Sequence, residues 1–152
     1  MQILIAAIGK LKSGPELVLY EHYAARLPWK ITVKEYEVKK PSGTPGRSEQ
    51  ETALLLKACT GSEHLIAMDE SGKEWTSAAF AAHLGKLRDG GVRRIAFIIG
   101  GADGLQESVL KRAQQSFSLG RVTWPHLLVR GLLAEQLYRA YTILSGHPYH
   151  RE

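Results

Sequence analysis

Apolar runs alternate with amphipathic stretches along the whole chain. Strand-like apolar runs lie at 2–9, 63–69, 92–101 and 116–122, and a less regular one at 30–38. Between them, apolar residues recur at helical spacing in the segments 14–27, 47–60, 76–91, 106–114 and 125–144. Continuous apolar strands are typical of a parallel sheet covered on both faces, so the pattern predicts an α/β fold. Because residues 30–38 alternate imperfectly, we expect them to form an outer strand.

Local signals predict several of the helix ends. Gly61 follows the 47–60 segment and Gly90 and Gly91 close the 76–91 segment, as glycines commonly do after a helix. Thr76 or Ser77 can cap the start of the 76–91 helix, because a hydroxyl accepts a hydrogen bond from a free backbone N–H.

The last helix is apolar on two sides. At 100° per residue, one side carries Leu127, Ala134, Leu137 and Tyr141, and the opposite side carries Leu128, Leu132 and Ile143. A helix that is apolar on two sides must be buried on two sides. In a chain of this size, the second side predicts a homodimer surface.

Two residues of this helix are unusual. Arg130 falls within the first apolar side, so its guanidinium needs an anion or a carbonyl as partner. That partner could be a structural ion pair or a bound ligand, and the sequence leaves both open. Gly131 costs about 1 kcal/mol of helix propensity relative to alanine.

Size and composition limit the class of protein. The chain has 152 residues, of which 44% are hydrophobic and 23% charged, and this predicts a single domain over 1–152. No apolar run is long enough for a membrane helix, and the start reads as a first strand rather than a signal peptide. Cys59 is the single cysteine and is expected to pack in a helix. One unpaired cysteine fits a reducing compartment, so we expect the protein in the cytoplasm.

The basic charge is mild. The formal net charge of +5 permits a polyanionic partner without requiring one. One segment, "KKPSGTPGRS" at 39–48, combines three basic residues with two prolines and two glycines. A mobile loop of this kind could reach phosphates, but a plain surface connection would look the same.

Three loops are candidates for a binding site, because parallel sheets bind ligands beyond the carboxyl ends of their strands. They are "MDESGKEW", "IGGADGL" and "SLGRVTWPH". The glycines of the second loop do not have the dinucleotide spacing, and no Walker loop, GxSxG or HExxH motif occurs. What remains is a neutral pocket lined by glycines and suited to a small organic cofactor. Gly100 and Gly101 would let a ligand approach the backbone, although a tight turn would use them equally.

The chain closes on "HPYHRE", a segment dense in groups for proton transfer and anion binding. Chain ends usually fray, so this density predicts a docked tail held by Pro148 and Tyr149. His147 and His150 have a spacing compatible with a metal, but no Cys or further His cluster supports them. We therefore expect no metal site.

These motifs together resemble one known family. "FIIGGADGL", "SLGRVTWPH", "VRGLLAEQLYRAY" and "HPYHRE" are similar, in order and spacing, to the ribosomal large-subunit methyltransferase H family of the SPOUT superfamily. The resemblance runs from "ILIAAIGKLK" to the last residue. It implies a C-terminal trefoil knot, a homodimer, S-adenosylmethionine as cofactor, and N3-methylation of a pseudouridine in 23S rRNA of the assembled ribosome.

The resemblance also implies site residues. The cofactor would contact Met68, Gly100, Leu119, Gly120, Arg121, Val122, Thr123 and Trp124. In the tail, we hypothesise that Tyr149 and His150 position the base or accept its proton, and that Arg151 stabilises the developing negative charge. In this hypothesis the tail folds back over the transferred methyl. His147 and Glu152 are weaker candidates, because either could simply anchor the tail.

Two other classes of protein remain open at the level of sequence. A non-catalytic protein that binds ribosomes or RNA would explain the charge but not the glycine-lined pocket. A small-molecule α/β enzyme would explain the pocket but not the basic loop. Binding of S-adenosylmethionine separates both from the methyltransferase.

Overall fold

A computed structural model describes residues 1–151 of the chain. Strands and helices alternate throughout, as the apolar pattern predicted. In chain order they are β1 (Gln2–Ile8), α1 (Pro15–Ala24), β2 (Lys30–Tyr36), α2 (Arg47–Ala58), β3 (His64–Glu74), α3 (Ser77–Asp89), β4 (Arg94–Ile99), α4 (Glu107–Arg112), β5 (Gln115–Ser118) and α5 (His126–Ser145).

The five strands form one parallel sheet in the order β2-β1-β4-β3-β5. The prediction of a parallel α/β sheet is confirmed, as is the position of β2 at an edge. Since all strands are parallel, the segments that follow β1, β2, β4 and β5 leave from the same edge of the sheet. The predicted cap is also present, because the Thr76 hydroxyl accepts a hydrogen bond from the backbone N–H of Ala79 at 3.1 Å.

Strand β3 is longer than predicted. Residues after Met68 were expected to form a loop, but the register shifts between Met68 and Lys73 and pairing with β5 resumes at Lys73 and Glu74. Gly72 permits this second pairing, because a Cβ atom there would lie 2.7 Å from the Ser116 carbonyl carbon. Residues 69–72 therefore form an irregular segment within the strand rather than a free loop.

Helices cover both faces of the sheet. One core cluster lies beneath α1, α3 and α5, and a second lies beneath α2 and α4. The central strands β1 and β4 contribute to both clusters, which accounts for their continuous apolar sequences. Cys59 is buried in the second cluster, and burial raises the pKa of its thiol to about 11.

Much of the apolar surface on the two sides of helix α5 is covered by other helices of the same chain. It packs against α1 on one side and against α3 on the other. Ile143, predicted to face a partner chain, packs against the core of its own chain instead. Leu128 and Leu132 are half-buried and belong to neither core cluster, so they alone keep the expected character of a contact surface.

Arg130 has a structural partner set. Its side chain is 0% exposed and donates to Glu35 Oε1 at 2.8 Å. The same guanidinium donates to the carbonyl oxygens of Ile8 at 2.6 Å and Gly9 at 2.8 Å. Of the two alternatives left by the sequence, the structure therefore shows an internal ion pair, which ties α5 to the ends of β1 and β2.

Gly131 is explained by the approach of two helices. It is buried against α1, and a Cβ atom at this position would lie 2.6 Å from Leu19 Cδ2 and 2.8 Å from Leu19 Cγ. The cost of glycine in a helix is therefore offset by close packing between α1 and α5.

Candidate functional site

A cavity of about 670 Å³ opens at the edge of the sheet where β4 and β5 end. Its volume is within the range of small-molecule sites. The irregular part of β3, the glycine loop after β4 and the segment between β5 and α5 form its walls, so the three sequence loops do meet. The apolar walls are Met68, Ile99, Leu105, Phe117, Leu119 and Val129.

Seven of the eight predicted cofactor residues line this cavity. They are Met68, Gly100, Leu119, Gly120, Val122, Thr123 and Trp124. Val122 and Trp124 are 59% and 39% exposed, so the apolar mouth is open to solvent in a single chain. Their contact with a cofactor stays a prediction.

Arg121 is the exception. Its side chain is 94% exposed and lies 3.5 Å from Glu74 Oε1, with the guanidinium Nε as the nearer atom. The structure thus does not bring the Arg121 side chain to the cavity, although its two neighbours in sequence line it. The residue was included because the family motif is continuous, whereas the backbone bends here: Gly120 has a left-handed φ of 106° and residues 121 and 122 form a bend.

The glycine loop is shaped by its own turn. Gly101 and Gly104 form an isolated bridge, and a Cβ atom at Gly100 would lie 2.8 Å from the Gly104 carbonyl oxygen. Gly104 itself has a left-handed φ of 74°. The tight turn therefore requires glycine at position 100, whether or not a ligand binds. The sequence had allowed either a turn or a close ligand as the reason for this glycine.

The cavity is not neutral, contrary to the prediction. Asp69, Glu70 and Asp103 line it together with His126. In the sequence, only their position in the three loops pointed to these four residues. Glu70 accepts a hydrogen bond from Thr123 at 3.3 Å, and Asp103 accepts one from the Gly43 N–H at 3.3 Å. Carboxylates at the rim favour a cationic group in the ligand.

His126 begins α5 beside the end of β1. Its Nε2 is 2.9 Å from where a Cβ atom of Gly9 would lie, so Gly9 leaves room for the ring. Burial, and then the nearby Arg130 charge, lower the pKa of His126 from its ordinary value. This imidazole of the cavity lining is accordingly neutral near pH 7.

The tail is docked, as predicted, but on the far half of α5. The Tyr149 hydroxyl donates to Glu135 Oε1 at 3.1 Å and lies 3.3 Å from the Tyr23 hydroxyl. Its ring packs edge-on against Tyr138, and the Arg139 guanidinium lies 4.8 Å from the ring centroid. Arg151 is exposed, and Glu152 lies outside the described residues.

This docking separates the tail from the cavity of the same chain. Glu135, the partner of Tyr149, is nine residues further along α5 than His126, a rise of about 14 Å. None of the tail residues 147–151 lines the cavity. In a single chain the tail therefore does not reach the cavity, because Tyr149 is held by α1 and the second half of α5.

The docked tail presents hydrogen-bond donors. Burial, the Tyr23 hydroxyl and Glu135 raise the pKa of Tyr149 well above its ordinary value, so this phenol stays protonated and is not a base. His150 Nδ1 lies 3.2 Å from Arg139, whose guanidinium can only donate. His150 Nδ1 is thus the acceptor in this pair, which leaves Nε2 as the ring N–H. Of the hypothesised proton acceptors, neither has a free basic atom in this arrangement.

Residues 1–151 lack both a metal-binding cluster and a membrane-spanning helix. There, no group of three His, Cys, Asp or Glu residues is arranged to hold a metal ion. In the same part of the chain, no helix combines the length and apolar character needed to cross a membrane.

The fold and the cavity define an α/β protein with a cavity of small-molecule size at the carboxyl edge of a parallel sheet. A family model described as "Predicted SPOUT methyltransferase" matches residues 1–150, so the chain belongs to the SPOUT methyltransferase family. The recognition made from the motifs is thereby confirmed.

Full-length relatives carry one name. "Ribosomal RNA large subunit methyltransferase H" of Paramagnetospirillum magneticum is 48% identical over 151 residues, covering 99% of both chains. The protein of the same name from Rhodospirillum centenum is also 48% identical, with the same coverage. Among solved structures, a probable methyltransferase from Bordetella pertussis Tohama I aligns with a TM-score of 0.59 at 11% identity, covering 91% of this chain and 95% of that one. The last likeness supports the fold alone.

Proposed function

We propose that this protein transfers the methyl group of S-adenosylmethionine to N3 of a pseudouridine in 23S rRNA of the assembled ribosome. The observation that carries the proposal is a cavity of about 670 Å³, formed by the three family motifs, in a chain that matches rRNA methyltransferases over its full length. The non-catalytic RNA-binding alternative gives no role to this cavity.

The cavity residues fit the proposed cofactor. S-adenosylmethionine supplies a methyl group activated by a positively charged sulfur. Met68, Leu119 and Trp124 offer apolar surface to an adenine ring, while Asp69, Glu70 and Asp103 suit the cationic portion. Trp124 is already oriented, because its indole N–H donates to the Leu119 carbonyl at 3.3 Å.

The chemistry requires positively charged groups, and no Lys or Arg side chain among residues 1–151 lines the cavity of one chain. N3–H of pseudouridine lies between two carbonyls and is weakly acidic, so methylation needs the proton removed and the imide charge stabilised. In our proposal, His150 Nε2–H and the Arg151 guanidinium donate to the imide carbonyls. Tyr149 holds this segment in place through Glu135. Water takes the proton, since Tyr149 and His150 offer no free base.

A second copy of the chain would supply the tail. We propose a homodimer in which each tail completes the cavity of its partner, with a contact surface that includes the half-buried Leu128 and Leu132 and the exposed Trp124. An interface beside the cavity would also cover its apolar mouth. The proposal includes one domain over 1–152, the trefoil knot of the C-terminal half and a cytoplasmic location. A crystal structure of the dimer with cofactor tests the knot and the tail together.

The activity is tested on ribosomes from a strain that lacks this methylation. The protein and S-adenosylmethionine should add one methyl group, and mass mapping of the rRNA should place it on a pseudouridine. A chain truncated after Gly146 and the Arg151→Ala variant should lose methylation, yet keep dimer mass by light scattering and cofactor binding by calorimetry. Arg88→Ala is the control, because it removes an exposed arginine from the opposite edge of the sheet. Full turnover of Arg151→Ala would remove the tail from the mechanism.

A further inference from the structure

A basic segment borders the cavity without contributing to its lining. Residues 39–47, "KKPSGTPGR", connect β2 to α2 at the edge of the sheet where the cavity opens. Lys39 and Lys40 are exposed there. Lys10 and Lys12, after the neighbouring strand β1, are exposed at the same edge. Four lysines thus lie on the β1–β2 side of the cavity mouth.

The segment has a defined shape. The N–H of Thr44 donates to the Pro41 carbonyl and the N–H of Arg47 donates to the Thr44 carbonyl, each at 3.1 Å, forming two consecutive turns. Gly43 and Gly46 adopt left-handed φ values of 75° and 82°, which these turns require. The segment therefore adopts two defined turns.

Arg47 holds the two ends of the segment together. Its guanidinium donates to the Lys40 carbonyl at 2.6 Å and to Glu51 Oε1 at 2.9 Å. Glu51 is buried, and its Oε1 lies 3.5 Å from where a Cβ atom of Gly101 would be, so this ion pair sits against the glycine loop. The Arg47 guanidinium is thus occupied by contacts within the protein. Lys39 and Lys40 are the basic residues of the segment that are exposed to solvent or to a ligand.

Asp103 joins the segment to the cavity. Its Oδ2 accepts a hydrogen bond from the Gly43 N–H at 3.3 Å and lies 3.8 Å from Arg47 Nε. Because Asp103 also lines the cavity, this contact fixes the two lysines relative to the place where a target nucleotide would enter. A surface connection with no function would not need a charged anchor in the cavity wall.

We propose that residues 39–47 form a phosphate-binding arm for RNA, and that Asp103 is the residue that positions it. Lys39 and Lys40 neutralise backbone phosphates beside the target nucleotide, while Asp103 and Arg47 hold the arm at the cavity mouth. The identification of the polyanion as RNA rests on the function proposed above. Phosphate contacts position a nucleic acid without reading its sequence, which suits a recognition surface of this size.

The first experiment compares two double variants of equal charge. Lys39→Ala with Lys40→Ala removes the arm lysines, and Lys57→Ala with Lys86→Ala removes two exposed lysines near the opposite edge. We measure binding to unmethylated ribosomes at several salt concentrations, with cofactor binding by calorimetry as the check on folding. The arm variant should bind ribosomes about tenfold more weakly, with a logarithmic salt slope smaller by about 1.5 to 2. Equal affinities and slopes for the two variants would overturn the proposal.

The second experiment tests whether Asp103 positions the arm, by removing its negative charge. Asp103→Ala makes the protein more positive, so simple electrostatics predicts tighter binding to RNA. If Asp103 positions the arm, the alanine variant should bind ribosomes about threefold to tenfold more weakly. Asp103→Asn should keep or exceed wild-type affinity, because the amide oxygen still accepts from Gly43. Tighter binding by both variants would show that Asp103 does not position the arm.

Failure of the arm and failure of the proposed function give different results. If the wild type methylates ribosomes but the arm variant binds like the control, the arm is wrong and the function stands. If the wild type does not methylate ribosomes, the same variants are measured on a short RNA hairpin. Selective loss by the arm variant on the hairpin supports the arm alone, and equal binding overturns it.

Discussion

Replacing Arg130 by methionine should destabilise the protein strongly, although Arg130 lines no part of the cavity. Methionine keeps most of the apolar stem but removes all three hydrogen bonds to Glu35, Ile8 and Gly9. Two carbonyl oxygens and one carboxylate then lose a buried cationic partner. Removing one member of a buried ion pair costs about 3 to 5 kcal/mol. Since Glu35 is partly exposed and can be hydrated, we expect about 3 kcal/mol for Arg130→Met.

Urea unfolding at one fixed protein concentration, followed by tryptophan fluorescence, measures this loss. Arg88→Met is the control, and as a surface change it should stay within about 0.5 kcal/mol of the wild type. Glu35→Gln keeps an acceptor for the Leu11 N–H, which lies 3.1 Å from Glu35 Oε1, and removes only the charge. If the ion pair is responsible, the double variant should cost less than the sum of the single variants by about 1 kcal/mol or more. Additive costs, or a loss below about 1 kcal/mol for Arg130→Met, would refute the reasoning.

Three further predictions concern stability and reactivity. Gly131→Ala should lower the free energy of unfolding in the wild type but raise it by up to about 1 kcal/mol once Leu19→Ala has removed the clash; urea titrations that give one sign in both backgrounds would contradict this. Burial lowers the pKa of His64 and of His83 below 6.5, so the unfolded chain binds more protons and stability should fall as pH falls from about 7 towards 5. His83→Gln should flatten that dependence, and an unchanged profile would contradict it. Cys59, whose pKa burial raises to about 11, should react with iodoacetamide at pH 8 only after urea is added; rapid labelling of folded protein would oppose this.

The repeating pattern of the sequence was sufficient for the elements and the class of fold. The continuous apolar runs of β1 and β4 predicted that both strands are covered on both faces, since only such a strand buries every side chain. The imperfect alternation of β2 placed it at an edge, where one face is less covered. These are local consequences of side-chain periodicity, and they do not depend on knowing which elements meet.

The sequence motifs also predicted most of the residues that line the cavity. One motif covers 119–124 without a gap, so every residue of that range was predicted to contact the cofactor. That prediction included Arg121, whose side chain points to Glu74 instead. A motif specifies a stretch of chain, whereas the direction of each side chain follows from local backbone geometry. The four polar residues of the lining were missed because loop residues carry no periodicity to interpret.

Contacts between distant parts of the chain were decided only by the tertiary structure. Arg130 needed a partner by its sequence position, but 95 residues separate it from Glu35, and only the packing of α5 against the strand ends brings them together. The same holds for Tyr149, whose partner Tyr23 is 126 residues away, and for Asp103, which reaches Gly43 across 60 residues. A periodic pattern states which residues must be buried or paired, because that is a property of each side chain and its neighbours. It cannot state with what they pair, because that depends on how the packed elements are arranged in three dimensions.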